Sequence, residues 1–403
     1  MPAITPKIDT PKSSPQATSA APSLGELFAG FLRLGATAFG GPAMVAYIRH
    51  LAVDKKGWLN ARTFDDGVVL CQSVPGATAM QTAAYVGLRA RGVSGAAVSY
   101  VGFGLPAFGL MMLLAALYER AHNLPAVVSA FSGLQAMVVA IVANAAVAFG
   151  RTTLKQWRHG IIAALTAALF GCGFNPFLVV VLAALLGFWL LREETLVAPT
   201  AVAAKPMPHT TKPVMFILLA AVALLAVLFY RNRQLYELAT VMIRVDLFAF
   251  GGGFTSVPLL FNEVVTQREW LDGPTLAEGI VLGQVTPGPI VITATFIGYL
   301  LQGTVGAFVA TLGVFLPSFL MVVTAAPHFD RLRTSPGFAR LTGGALCSFP
   351  GLLLVVTIHF AQSVDWDLNR ILMSAAAFVS LRLGINIFWV VLVCAGLSLV
   401  LLK

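Results

Sequence analysis

Charge is what this sequence has least of. Only 11% of its 403 residues are charged, against 58% hydrophobic, and mean hydropathy is +0.85. A soluble domain carries about a quarter charged residues, so a water-facing enzyme and a disordered scaffold are both excluded. The net charge of +9 does not point to nucleic acid, because excess Lys and Arg in such an apolar chain report membrane orientation. Cysteine is scarce too. Cys71, Cys172, Cys347 and Cys394 form no C-x-x-C pair and lie in apolar stretches, where they read as small buried hydrophobes. The six histidines show no metal-ligand spacing, so no cofactor or metal is expected. None matches Ser94-Gly95 or Ser132-Gly133 in depth, which argues against an intramembrane serine protease.

What is present is a series of apolar segments, each near the roughly 20 residues that a crossing needs. Residues 1–23 are rich in Pro, Ser, Thr and Ala, with no apolar core, and read as a disordered tail rather than a signal peptide. Segments follow at 24–48, 64–88, 93–118, 125–149, 160–174 and 176–191. A polar, Pro-bearing linker covers 192–212, and 213–230 is the cleanest single transmembrane helix. Segments resume at 239–261, 276–300, 303–326, 337–361, 370–383 and 386–402. Four tryptophans, Trp58, Trp157, Trp270 and Trp366, sit at segment edges as an interfacial belt would place them.

The two series are one series repeated. Phe39-Gly40-Gly41 recurs as Phe250-Gly251-Gly252 and Arg33 as Arg244, offset by 211 residues. Trp58-Leu59, Gln72 and Pro75-Gly76 recur as Trp270-Leu271, Gln284 and Pro287-Gly288, offset by 212. Gly87, Gly92, Leu105-Pro106, Gly133 and Asn175 return at 211. So many ordered Gly and Pro matches mark an internal duplication, 24–191 and 235–403, separated by a linker and an added helix over 192–234. The expectation is an all-α polytopic membrane protein of about 12–13 transmembrane segments, in two homologous repeats with broken helices.

Orientation has two readings. If every segment crosses, seven crossings separate equivalent points and the repeats are inverted. Loop Lys and Arg then favour a cytoplasmic N-terminus, although the loop at 49–62 is an exception. If the Pro-Gly segments at 64–88 and 276–300 are re-entrant instead, the repeats are parallel. The added odd helix favours inversion.

The first two segments of each repeat are poor spanning helices. One carries Gly40-Gly41-Pro42 and, in the second repeat, Gly251-Gly252-Gly253; the other carries Pro75-Gly76 and Pro287-Gly288-Pro289. Gly costs about 1 kcal/mol and Pro about 3 in a helix interior. Broken helices survive in a bilayer only when buried in protein or lining a cavity. A restarting half-helix aims unpaired N–H groups and a positive dipole end at that cavity. Such breaks at matching places in two halves are the best sequence pointer to a transporter's site. Gly92, Gly95, Gly303 and Gly306 read instead as close helix packing.

Arg33 and Arg244 lie at membrane depth, two turns before the first break, where burial costs at least about 2.5–3.5 kcal/mol. An always-charged fork suits an oxyanion; the alternatives are snorkelling to a headgroup or, for Arg244, pairing with Asp246. Gln72, Ser73, Thr78 and Gln81 surround one Pro-Gly break, and Gln284, Thr286, Thr293 and Thr295 the other. They donate to oxygens without adding negative charge, or else join helices. Asp65, Asp66, Glu119 and Glu278 read as solvated segment ends. Asp246 is the single acid that reads as buried, a candidate coupling group.

These residues carry a family likeness. FLRLGATAFGGP (31–42), CQSVPGATAMQ (71–81), FGGGFTSVP (250–258) and GQVTPGPIVITATFIGY (283–299) together resemble the chromate ion transporter family, in its long two-domain form. The resemblance spans both repeats. It implies export of chromate, with sulfate as a structural analogue, across a bacterial inner membrane, and a chromate-resistance phenotype. Homodimerisation is compatible with it. Ala77 departs from the repeated Pro-Gly-Pro of many relatives and suggests a looser turn in the first repeat. A dianion leaving a negative-inside cell gains about 2 × 2.3 kcal/mol per 100 mV, so export needs no proton relay. The resemblance and the breaks together predict an oxyanion site at Arg33, Gly40, Gly41, Gln72, Pro75, Gly76, Thr78, Gln81, Arg244, Gly251, Gly252, Gly253, Gln284, Thr286, Pro287 and Gly288. An uptake carrier for sulfate or another inorganic anion, coupled to cations, is the second reading.

Overall fold

A computed structural model of the chain describes residues 21–39, 43–121, 124–192 and 211–401. Gly40, Gly41 and Pro42, most of the N-terminal tail and most of the linker fall outside them. Among the described residues there is no strand. The first repeat holds α1 (Leu24–Thr37), α2 (Ala43–Arg49) with a π-helical turn to Lys55, and α3 (Ala61–Ser73). It continues through α4 (Thr78–Ala121), α5 (Pro125–Thr153), α6 (Trp157–Gly171) and α7 (Pro176–Leu190). The added helix is α8 (Thr211–Arg231), most of whose apolar side chains are exposed, as lipid contact requires. The second repeat runs α9 (Arg233–Phe248), α10 (Ser256–Leu260) with its own π-helical turn, α11 (Gly273–Val285) and α12 (Thr293–Ala325). It closes with α13 (Phe329–Thr334), α14 (Pro336–Gln362), α15 (Leu368–Arg382) and α16 (Ile387–Leu401).

Among the described residues all thirteen apolar segments are helical, but the first two of each repeat fold back instead of crossing. A side chain at Gly30 on α1 would touch Leu51 and Trp58, which follow the first break. Gly67 on α3 faces the Tyr85 ring on α4, and Gly279 on α11 faces Phe296 on α12. Each arm therefore returns beside its predecessor, with Pro75-Gly76, Gly251-Gly252 and Pro287-Gly288 at the tips. The 13 residues of α3 reach about 20 Å, short of a hydrocarbon core of about 30 Å.

A second reversal follows. Helix α4 turns at Arg91 and Gly92 (φ 68°), and α12 turns at Gln302 and Gly303 (φ 57°). Gly95 then packs on Gly87, and Gly306 on Gly298, backbone to backbone. Gly92 and Gly303 are hence turn residues, whereas Gly95 and Gly306 provide the expected close packing. The long arms, 93–121 and 304–325, are long and apolar enough to span a hydrocarbon core.

These long arms pack on each other across the repeats. Tyr100 meets Phe315 and Phe319, while Phe108 meets Phe308, so rising numbers on one helix face falling numbers on the other. Homologous helices that run antiparallel are related by an axis lying in the membrane plane, which makes the repeats inverted. The fold-backs agree with this. Hairpins leave on the side they entered, and the short α6 and α7 run back on one another from Arg158 to Leu190, so the long arm, α5 and α8 set the parity of crossings between equivalent points, an odd number. Re-entrance and inversion thus coexist, because the first segment of each repeat folds back as well as the Pro-Gly one. The expected link between re-entrance and parallel repeats does not hold.

The repeats are also interleaved. Gly133 on α5 donates its amide to Ser398 Oγ on α16 at 3.0 Å, and the matching Gly344 on α14 packs against Gly187 on α7. Neither half buries its apolar faces alone. Among the described residues, five helices are long and apolar enough to cross by length and composition.

Candidate functional site

The hairpin tips of the two repeats meet. Gly76 donates its amide to Ala249 O at 2.8 Å, and Pro75 and Phe250 form an isolated antiparallel bridge. In the mirrored position Gly288 donates to Ala38 O at 3.2 Å. Gly76 and Gly288 take φ of 119° and 122°, a region that side-chain-bearing residues rarely enter. A Cβ at Gly76 would also overlap Ser318 Oγ, and one at Gly288 would press on Ala107. Glycine is required at each tip by both conformation and space.

The first Pro-Gly tip is held from behind by a buried carboxylate. Ala77 donates its amide to Ser318 Oγ at 3.1 Å. Ser318 in turn donates its hydroxyl to Asp246 Oδ1 at 2.8 Å and its amide to Asp246 Oδ2 at 2.7 Å. Asp246 and Ser318 are fully buried. Gln81, also fully buried, donates to Pro75 O at 2.6 Å and to Ser318 O at 3.5 Å, while its Oε1 has no partner. The turn at Ala77 is thus tied down, not looser. In the mirrored place the chain has Gly35, Ala107 and Pro289 for Asp246, Ser318 and Ala77. Proline has no N–H to satisfy, and Gly35 and Ala107 offer neither an acid nor a hydroxyl.

The predicted residues divide accordingly. Pro75, Gly76, Thr78, Gln81, Asp246 and Gly252 converge at one tip crossing; a Cβ on Gly252 would lie 3.8 Å from Thr78 Oγ1. Gly251 and Gly252 take positive φ, and Gly253 opens a short 3-10 turn packed on Ile290. At the other crossing Pro287 and Gly288 are buried, and Thr286 turns its hydroxyl back to Leu282 O at 2.7 Å. Gln284 is half-buried, with a buried Nε2 that has no partner. Gln72 is exposed on α3. Gly40 and Gly41 lie outside the described residues.

The two arginines stand away from the tips. Arg33 is exposed and, among the described residues, makes no ion pair. Arg244 pairs with Glu263 Oε2 at 3.2 Å, not with Asp246. Glu263 is buried and also receives Arg268. Another acid corrects the sequence reading. Glu278 is buried, not a solvated end, accepting from Tyr118 Oη at 2.5 Å and Gln135 Nε2 at 2.8 Å, both from the first repeat. Cys172 is exposed while the other three cysteines are buried. Ser318, Glu263 and Tyr118 carry no periodic or duplicated signal; only Ser318's place after the duplicated Leu-Pro hinted at it.

Two cavities, of about 340 Å³ beside Val139, Trp366 and Phe378 and about 110 Å³ beside Glu237, Trp270 and Gln302, lie away from the tips. The tips themselves are packed on one another.

Inverted repeats whose discontinuous helices meet at their tips define a multi-pass membrane transporter. The comparison with known proteins agrees: a family profile described as chromate transporter matches residues 25–188 and 236–399. The chain belongs to the chromate transporter family. It is 39% identical over 381 residues to an uncharacterized transporter of Methanocaldococcus jannaschii, covering 94% of each chain. It is 29% identical over 403 residues to a chromate transport protein of Cupriavidus metallidurans, covering 97% of this chain and 96% of that one. Against a chromate transport protein of Pseudomonas aeruginosa it is 30% identical over 400 residues, covering 94% and 89%. No solved structure matches the chain.

Proposed function

We propose that this protein exports chromate across a bacterial inner membrane, conferring chromate resistance, by alternating access driven by the membrane potential. The observation that carries this reading is the paired tip contact, Gly76 with Ala249 and Gly288 with Ala38. It supports the reading because it joins the tips of the two inverted repeats in pairs, and half-helix N-termini at such breaks can face an oxyanion. The residues assigned to the anion are Pro75, Gly76, Thr78 and Gln81 with Gly251, Gly252 and Gly253 at one crossing. At the other they are Gln284, Thr286, Pro287 and Gly288, and Gly40 and Gly41 are assigned from the duplicated motif alone. Gln284 Nε2 supplies a buried donor still open to a ligand. The contacts between tips break and re-form as the site opens to either side, and 24–191 and 235–403 are the limits of the two homologous repeats, not of separate moving bodies, because the repeats interleave. Arg33 and Arg244 flank the route as cations and Gln72 lines it.

Purified protein in liposomes of defined potential tests this. Chromate flux saturates, competes with sulfate and rises with a potential negative on the loading side. Flux indifferent to the potential would remove the electrogenic mechanism. The second reading, uptake of sulfate or another inorganic anion with a coupled cation, is favoured by Asp246, a fully buried carboxylate beside the tip. A strict need for a proton or Na⁺ gradient would select it.

A further inference from the structure

A buried ionised glutamate is stable only when compensated. Glu263 is compensated twice, by Arg244 on α9 and by Arg268 beyond the π-helical turn. Phe177 lies 6.0 Å from the Arg244 guanidinium and the Trp270 ring 5.4 Å from that of Arg268. Two guanidiniums converging on one carboxylate form the arrangement that binds a free oxyanion. Here the anion is tethered to the chain.

The first repeat has the same place without the tether. Trp58 and Leu59 donate their amides to Ala52 O, as Trp270 and Leu271 do to Val264 O. Ala52 is therefore the counterpart of Val264, and Leu51 that of Glu263. By the same register Lys56 matches Arg268, and Arg33 matches Arg244 through the first-break offset. Leu51 lies against α1 beside Gly30, one turn from Arg33. Arg33 and Lys56 are both exposed. The acids nearby are accounted for: Glu26 caps α1 with Ser23 within electrostatic reach of Lys56, and Asp54 and Asp65 face Arg49.

We propose that these mirrored places are two anion stations of unequal character, one at each mouth of the transporter. In the first repeat Arg33 and Lys56, around Leu51, recruit a divalent oxyanion from solution. In the second, Glu263 occupies the station and competes with a departing oxyanion for Arg244 and Arg268, which favours release. Inverted repeats set the two stations on opposite sides of the membrane, so the two mouths differ in anion affinity, while the membrane potential sets the direction of net flux. The inference rests on the oxyanion reading above but concerns residues outside the tips.

Equilibrium binding of radiolabelled sulfate to the purified full chain reads it without any flux. Leu51→Glu installs the tether in the first station and should weaken binding at least tenfold; Lys56→Gln, which adds no buried charge, should weaken it several-fold. Glu263→Gln empties the second station and should add a second class of site. Sulfate binding in wild type that Leu51→Glu and Lys56→Gln both leave unchanged overturns the first station. Unchanged stoichiometry and affinity in a folded Glu263→Gln protein overturns the second. Absence of chromate flux alongside intact, Lys56-dependent sulfate binding would fault the transport reading and not the station.

Discussion

The Gly76 amide reaches across the repeat boundary to the Ala249 carbonyl at 2.8 Å. Its mirror, Gly288 to Ala38 at 3.2 Å, closes the pseudo-symmetric pair. Backbone groups freed by the helix breaks are thereby satisfied by the opposite repeat instead of by water, which a bilayer does not supply.

This makes the tip glycines far more sensitive than the turn glycines. Gly76→Ala combines a positive φ, costing about 1–3 kcal/mol, with overlap of Ser318 Oγ, costing about as much again. Gly303→Ala meets nothing within 4 Å of its new Cβ, so only the left-handed backbone term of about 1–2 kcal/mol remains. Thermal unfolding of the two variants in detergent should separate them by several degrees, with Gly76→Ala the less stable and depleted in membranes.

A second expectation concerns Ser318. Ser318→Ala orphans the Ala77 amide and removes one of the Asp246 hydrogen bonds, each costing about 1–3 kcal/mol when buried. Ala77→Pro removes that amide and recreates the Pro-Gly-Pro of the other tip. In the Ala77→Pro background, Ser318→Ala should therefore cost less than in wild type. A double-mutant cycle on unfolding midpoints measures the difference, expected at about 1 kcal/mol or more.

Much of this was readable from residue order. The duplicated Phe-Gly-Gly and Pro-Gly motifs located the tips, because Gly and Pro act on the backbone locally. The fold-back at the tips was not readable, since two arms such as α3 and the start of α4 have the apolar length of one crossing. Arg244 was assigned to an anion for a related reason. Its partner Glu263 lies 19 residues away, beyond a break and a π-helical turn that set the register of the returning arm. Ser318 and Asp246 were invisible as a pair, because only the packing of α12 on α9 joins them.

Glu278 supplies a third expectation. It ties α11 of the second repeat to Tyr118 and Gln135 of the first. Tyr118→Phe removes a hydrogen bond to a charged group, worth about 1.5–3 kcal/mol, and leaves Gln135 to hold the carboxylate. Cross-repeat stability should fall, seen as a lower unfolding midpoint, whereas Glu278→Gln should recover part of the loss in the Tyr118→Phe background. Equal losses in both backgrounds would mean that the Tyr118 hydroxyl does not act through Glu278.

Asp246 separates the two transport readings. Both its carboxylate oxygens are engaged by Ser318, the geometry of a clasp on the first tip. Under the export reading it moves no ion, so Asp246→Asn keeps a hydrogen-bonding partner for Ser318 and leaves the charge moved per chromate at two. Each charge contributes about 2.3 kcal/mol per 100 mV, so the reversal potential of chromate flux in proteoliposomes reports that number directly. The expected outcome is an unchanged reversal potential with a lowered maximal flux, because the tip is held less firmly. A reversal potential that depends on an imposed proton gradient in wild type, and loses that dependence in Asp246→Asn, would make Asp246 a coupling group and favour cation-coupled uptake.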